Sequence, residues 1–342
     1  MKDYKNLKLI ASTSPHIRGS ETTRSIMLDV VIAMLPALGF ACWWFGLRAL
    51  TVTAVSVVSC IVWEWLYRAL LKKPCSVGDL SAVVTGMLLA FVCPVNIAYW
   101  RIAVGAFFAI VVTKQLFGGI GKNFINPALA GRAFMLASWA SVMGSNWIDP
   151  SAGKVPLLGA VDAVTAATPL SYMKGDDIAA SFKALTETYS LKEMVLGFTG
   201  GSMGEVCTVA LLAGGVYLIG RKVINWHTPV AYVATVALLT VLFPRGGVDN
   251  IQWMLYSLTG GGLMLGAFFM ATDYATSPVT KKGQLVYGIG CGLFTVFIRY
   301  FGAYNEGVCY SIMVMNCFTA LIDKHTRPTR FGVVKTGKGA AK

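Results

Sequence analysis

Charge is what this sequence of 342 residues has least of. Asp, Glu, Lys and Arg make up 13% of it, about half the share found in ordinary soluble chains. With 56% hydrophobic residues and a mean hydropathy of +0.63, that scarcity excludes a soluble globular domain, and with it the disordered and fibrous classes. Histidine is rarer still. His16, His227 and His325 are scattered along the chain, so no metal or haem centre built on histidine is expected. The eight cysteines form no Cys-x-x-Cys pair and mostly lie in apolar stretches, which excludes a zinc site and a disulfide framework. Dinucleotide-binding and iron–sulfur motifs are missing as well, and no catalytic residue is assigned.

What remains is apolar. The first 25 residues are polar and basic, and the run that follows, 26–47, is too long for the hydrophobic core of a signal peptide. Further apolar runs fall at 49–67, 80–99, 102–117, 126–143, 205–220, 226–243, 252–271, 285–301 and 306–322, ten in all. An even number of spans places both termini on one side. On that threading twenty basic residues fall on the side of the termini and eight on the other, with Arg132 left inside a span. The positive-inside rule then puts both termini in the cytoplasm. The net charge of +13 is accounted for by orientation and contact with membrane lipid, and no nucleic acid is called for.

The expected organisation is a cytoplasmic segment, 1–25, a first membrane half of five helices, 26–143, an extracytoplasmic loop, 144–204, a second five-helix half, 205–322, and a basic cytoplasmic tail, 323–342. Five spans plus five is the arithmetic of an inverted repeat, because an odd number of spans forces the second half to insert upside down.

Three glycine-rich or acidic stretches interrupt the apolar pattern. In 118–128, Gly118 and Gly119 let backbone approach a ligand, Pro127 breaks a helix, and Asn123 and Asn126 offer amides. Lys122 is followed by Asn123, not by Ser or Thr, so this is no phosphate loop. Glu205 opens the sixth run behind Gly200, Gly201 and Gly204. Asp273 closes the eighth among four hydroxyl residues. Acids at membrane depth are costly and mark ion or ligand sites, so Glu64, Glu205 and Asp273 are candidates for an ion path, while Asp29 and Asp79 are expected to cap helices.

The long loop carries the most specific signal, Asp162-Ala163-Val164-Thr165-Ala166-Ala167-Thr168, which fits Asp-x-x-[Ser/Thr]-x-Ala-Thr. It resembles the flavinylation signal in which the last Thr bonds through a phosphoester to FMN. With Lys114–Gly119, Asn126-Pro127-Ala128, Gly204-Glu205 and Thr272-Asp273, it makes the whole chain similar to the RnfD/NqrB family, membrane components of the Rnf ion-translocating oxidoreductase and of the sodium-pumping NADH:quinone reductase. Ala166 stands where that family's motif has Gly.

The resemblance implies an all-α, urea-transporter-like fold of about ten helices in two inverted halves. It implies FMN on Thr168, with Asp162, Thr165 and Ala167 forming the recognition motif, and a second, noncovalent riboflavin nearer the cytoplasm. Gly118, Gly119, Asn123 and Asn126 are where that inner flavin is sought, and Glu205, Asp273 and Glu64 are candidates for the inner flavin or for the coupled Na+ or H+. Implied partners are a flavin transferase, an extracytoplasmic flavoprotein, membrane iron–sulfur subunits, and cytoplasmic NAD-binding and ferredoxin-side subunits. The rival reading is a small-solute channel of the urea-transporter type without a redox cofactor.

Overall fold

The computed structural model describes residues 21–144, 147–148, 167–174, 177–205 and 207–328. Among them every regular element is helical. Asp162 and Thr165, with the rest of 149–166, lie outside the described residues, as do most of the basic N-terminal segment and the end of the tail.

Helices α1 (Thr23–Phe45), α2 (Leu47–Leu70) and α14 (Lys281–Phe301) are each long and apolar enough to cross a membrane. A fourth crossing is possible through α12 (Asn250–Thr259) and α13 (Leu263–Leu265), the latter continued by a π-helical turn, Gly266–Met270. This pair is bent by 64°. Helices α10 (Thr208–Gly220) and α11 (His227–Leu242) are shorter, and α15 (Val308–Thr326) ends the described chain.

Among the apolar runs that are not continuous helices, two break for a clear chemical reason. In the run 80–99 only α3 (Ser81–Phe91) is helical, about 16 Å long. Pro94 lacks an amide hydrogen and disfavours helical backbone at Cys93, so the chain leaves the helix there. In the run 252–271 the break falls at Gly260–Gly262, where Gly261 has φ 71°.

Backbone groups freed by such breaks must be satisfied inside the protein. Two buried arginines do much of this. Arg48 on α2 donates to the carbonyls of Val95, at 3.0 Å, and Ile97, at 3.5 Å. Arg299 on α14 donates to those of Ser257, at 2.6 Å, and Gly260, at 3.2 Å.

Helix α4 (Tyr99–Phe107) runs on into a π-helical stretch, Phe108–Gln115, that buries Lys114 and Gln115. Helix α5 (Pro127–Ser138) follows the glycine-rich turn. Its start is built from two residues: Pro127 sits in the first turn, where no amide hydrogen is missed, and the Asn126 side chain accepts from the amides of Ala128 and Leu129. Between α6 (Ala140–Gly144) and α10 the described chain holds α7 (Pro169–Tyr172), α8 (Ile178–Thr188) and α9 (Leu191–Leu196). These pack a separate small core of Leu170, Phe182 and Leu185 against Trp253 and Tyr256 of α12.

Candidate functional site

The candidate residues sort into two cavities, one lined by the start of α5 and the other by its later residues. The first, of about 250 Å³, is walled by Thr168, Ser202, Glu205 and Glu306, by glycines 200, 201, 260 and 261, and by Arg132 from α5. Thr168 stands at the N-terminal end of α7, half-buried, and its hydroxyl does not cap that helix. The capping role open to a Thr before Pro169 is therefore not taken by Thr168, which lines the cavity.

Arg132 is the cation of this cavity. Its guanidinium lies 3.6 Å from Glu205 Oε1 and donates to Glu306 Oε2. Glu205 precedes α10 and Glu306 precedes α15, so three separate chain segments meet through one guanidinium. Ser202 Oγ and Glu306 Oε1 are buried without a hydrogen-bond partner among the described residues, and Glu205 Oε1 has only its ion pair with Arg132. Both carboxylate oxygens lie beside Gly262: a Cβ there would be 2.5 Å from each. Buried acceptors left unmatched are costly, and a cavity lined by them suits a ligand that presents N–H or O–H groups.

The second cavity, of about 400 Å³, is walled by Thr85, Lys114, Gly121, Asn123, Asn126 and Pro127 on one side and by Phe268, Phe269, Thr272, Asp273 and Tyr274 on the other. Asn126 joins the two sides, because its Nδ2 donates to the Met270 carbonyl at 3.3 Å while its Oδ1 caps α5. Asp273 is held by its own turn, accepting from Thr276 Oγ1 at 3.3 Å. Lys114 donates to Glu64 Oε2 at 2.8 Å and to Ser81 Oγ at 2.6 Å. Glu64 is fully buried, accepts also from Ser76, and faces Lys114, not the open cavity.

The structure thus divides what sequence reasoning had grouped. Glu205 belongs with Thr168 and not with Asp273. Gly118 and Gly119 form the turn, with φ 114° and 96°, and it is Gly121, φ 79°, that lines the second cavity. Asp79 caps as expected, accepting from the Ser81 amide at 2.8 Å. Asp29 does not: it lies within α1 and pairs with Arg221 at 3.2 Å and with Tyr217. Glu306 was missed, although it opens the last apolar run just as Glu205 opens the sixth, and the same rule for acids at membrane depth points to it.

The cavities are close. Pro127 lines one and Arg132 the other, five residues apart on α5, which is roughly 7–8 Å along the helix axis. Two cavities with polar and charged residues in their walls, among apolar helices that break at glycine and proline, define an all-helical protein of the membrane-embedded class.

The chain belongs to the NQR2, RnfD, RnfE family, whose model matches residues 10–332. It is 48% identical over 339 residues, 98% of each chain, to the D subunit of the Na+-translocating ferredoxin:NAD+ oxidoreductase complex of Acetobacterium woodii. It is 42% identical to the D subunit of the proton-translocating ferredoxin:NAD+ oxidoreductase complex of Clostridium ljungdahlii, over 96% of this chain and 97% of that one. A third relative, the D subunit of the ion-translocating oxidoreductase complex of Ectopseudomonas mendocina, is 33% identical over 96% and 97% of the two chains.

Proposed function

We propose that this chain is the flavin-carrying membrane subunit of an Rnf-type ferredoxin:NAD+ oxidoreductase complex, passing electrons through its interior and coupling their passage to movement of Na+ or H+. The observation that carries this reading is the placement of Thr168, the last residue of the flavinylation-like motif, on the wall of a cavity whose neighbour lies one and a half helical turns away.

The residues present fit the two flavins. In the first cavity the uncapped Thr168 hydroxyl would be the attachment point for FMN, and Ser202, Glu205 and Glu306 would offer oxygen acceptors to its ring N–H. In the second, Phe268 and Phe269 give an aromatic wall, and Asn123, Asn126 and Thr85 give hydrogen bonds, as a noncovalent riboflavin requires. Bound flavin supplies the ability to accept and release one or two electrons. The protein's part is position. Helix α5, which lines both cavities, would hold the two sites near enough for direct electron passage.

Ion coupling requires an element with two states that charge in the cavities can bias. The Arg132–Glu205–Glu306 cluster and the Asp273 turn are the ionisable groups placed to respond. The proposed architecture is ten membrane crossings in two inverted halves, the short α3 and the bent α12–α13 pair being discontinuous spans of the kind that build midplane sites. Both termini lie in the cytoplasm, and Thr168 faces outward, within reach of a flavin transferase and an extracytoplasmic flavoprotein. Membrane iron–sulfur subunits and the NAD- and ferredoxin-side subunits complete the complex.

The test is made on the chain isolated within its native complex. Ultraviolet fluorescence on a denaturing gel, with an intact mass raised by one phosphate-linked FMN and both signals lost in Thr168→Ala, is the expected result. An unmodified mass would reject the covalent flavin and put the small-solute channel reading first.

A further inference from the structure

Away from both cavities, the ends of α11 and α14 enclose a groove of about 780 Å³ on the outside of the molecule. Its walls are apolar: Leu242, Phe243, Leu293, Phe297 and Phe301 are all exposed. From Leu293 to Phe301 the groove follows α14 for about 12 Å, which is close to the hydrocarbon depth of a single bilayer leaflet.

One end of the groove is not apolar. The Arg245 guanidinium lies over the rings of Tyr300, at 4.7 Å, and Phe301, at 5.4 Å, and makes no ion pair among the described residues. A second cation stands beside it. Lys174 donates to the carbonyls of Gly302 and Tyr304, the latter at 3.0 Å, and it too has no carboxylate partner among the described residues. Burial, and then the nearby Arg245 charge, hold the Lys174 ammonium below its usual range. Two cations that disfavour one another, at the mouth of an apolar groove and framed by aromatic rings, are complementary to one chemical class: an amphiphile with an anionic head and a long hydrocarbon tail.

We infer that this groove binds a membrane phospholipid, with one acyl chain along Leu293–Phe301 and the headgroup phosphate held by Arg245 and Lys174. The site has a structural consequence. Tyr300, under Arg245, accepts from Trp253 Nε1 at 2.7 Å and donates to the Phe243 carbonyl at 2.9 Å, while Lys174 ties the segment after α7 to residues 302–304 on the rim of the Thr168 cavity. A lipid phosphate between the two cations relieves their repulsion and braces the segment that presents Thr168. The inference does not rest on what Thr168 carries.

The experiment is photocrosslinking in the intact complex in its native membrane, with benzoylphenylalanine in place of Phe297. The expected product is this chain with the added mass of one phospholipid. A crosslink to another polypeptide, or the absence of a lipid adduct, overturns the inference. Arg245→Gln, at a half-buried position and with an unchanged unfolding temperature as its folding control, is expected to retain phospholipid about five-fold less through purification, as read by native mass spectrometry, the effect of one basic residue at a lipid surface. Undiminished retention, or displacement of the lipid by excess inorganic phosphate alone, would also overturn it.

Discussion

The two cavities share a helix and differ in how their charges are held. On the second-cavity side Lys114 answers Glu64 in a closed pair, 2.8 Å apart, and the hydroxyls of Ser76 and Ser81 complete it. On the Thr168 side one Arg132 answers two carboxylates: Glu306 keeps an oxygen without a hydrogen bond, and Glu205 meets the guanidinium only through a longer ion pair of 3.6 Å. A closed pair is a structural clamp. An open triad is able to respond to charge placed beside it, because a change at any member alters the other two. The difference also follows chain connectivity. The pair joins α2 to the end of the α4 π-helical stretch, within one half of the sequence, whereas the triad draws Arg132 from one half and both glutamates from the other.

Removing cations tests this contrast most strongly. Arg132→Leu leaves two buried carboxylates unpaired and is expected to cost about 3–5 kcal/mol, read as the shift in equilibrium unfolding in mixed micelles. Adding Glu306→Leu should recover only part of that loss, since Glu205 stays buried and alone; full recovery in the double variant would show that Glu205 is not a member of the cluster.

Lys114→Met is expected to cost about 3 kcal/mol in the same measurement. Here the double variant with Glu64→Leu should return to within about 1–2 kcal/mol of the parent, since exchanging a whole buried pair for apolar residues is often neutral. If the two double variants behave alike, the distinction between closed pair and open triad fails.

A smaller effect is expected at Gly262, whose missing side chain leaves room for both carboxylate oxygens. Gly262→Ala should cost about 1–3 kcal/mol by displacing the carboxylates. Its readout beyond stability is the redox potential of flavin retained on Thr168, which should move in this variant and not in an alanine variant of Gly121. Smallest is Asn126→Ala, which removes the α5 cap and the bond to the Met270 carbonyl, for about 1 kcal/mol. It should lower retention of noncovalent flavin while leaving the covalent mass intact. Loss of the covalent label instead would mean that the two cavities are not separate sites.

Much of this was legible in the chain. Every apolar run of the sequence contains a helix, and Asn126-Pro127 announces the start of α5 because capping and proline geometry are local. The breaks were only partly legible. Glycines 260–262 and Pro94 sit inside runs that average out as continuous hydrophobic spans, since hydropathy counts side chains and is blind to a missing amide hydrogen or a positive φ. Asp29 misled for a related reason: a carboxylate near a helix end looks like a cap until Arg221 and Tyr217, some 190 positions away, arrive beside it.

Composition and local pattern alone determined that the chain is helical and membrane-embedded and about where its helices begin, because these depend on solvent transfer and on neighbours within one helical turn. Tertiary structure alone decided the partners. It set Glu205 with Thr168 apart from Asp273, brought Glu306 to Arg132, closed Glu64 onto Lys114 and placed two cavities along α5, because burial forces each charged or unmatched polar group to find its partner wherever in the chain that partner lies.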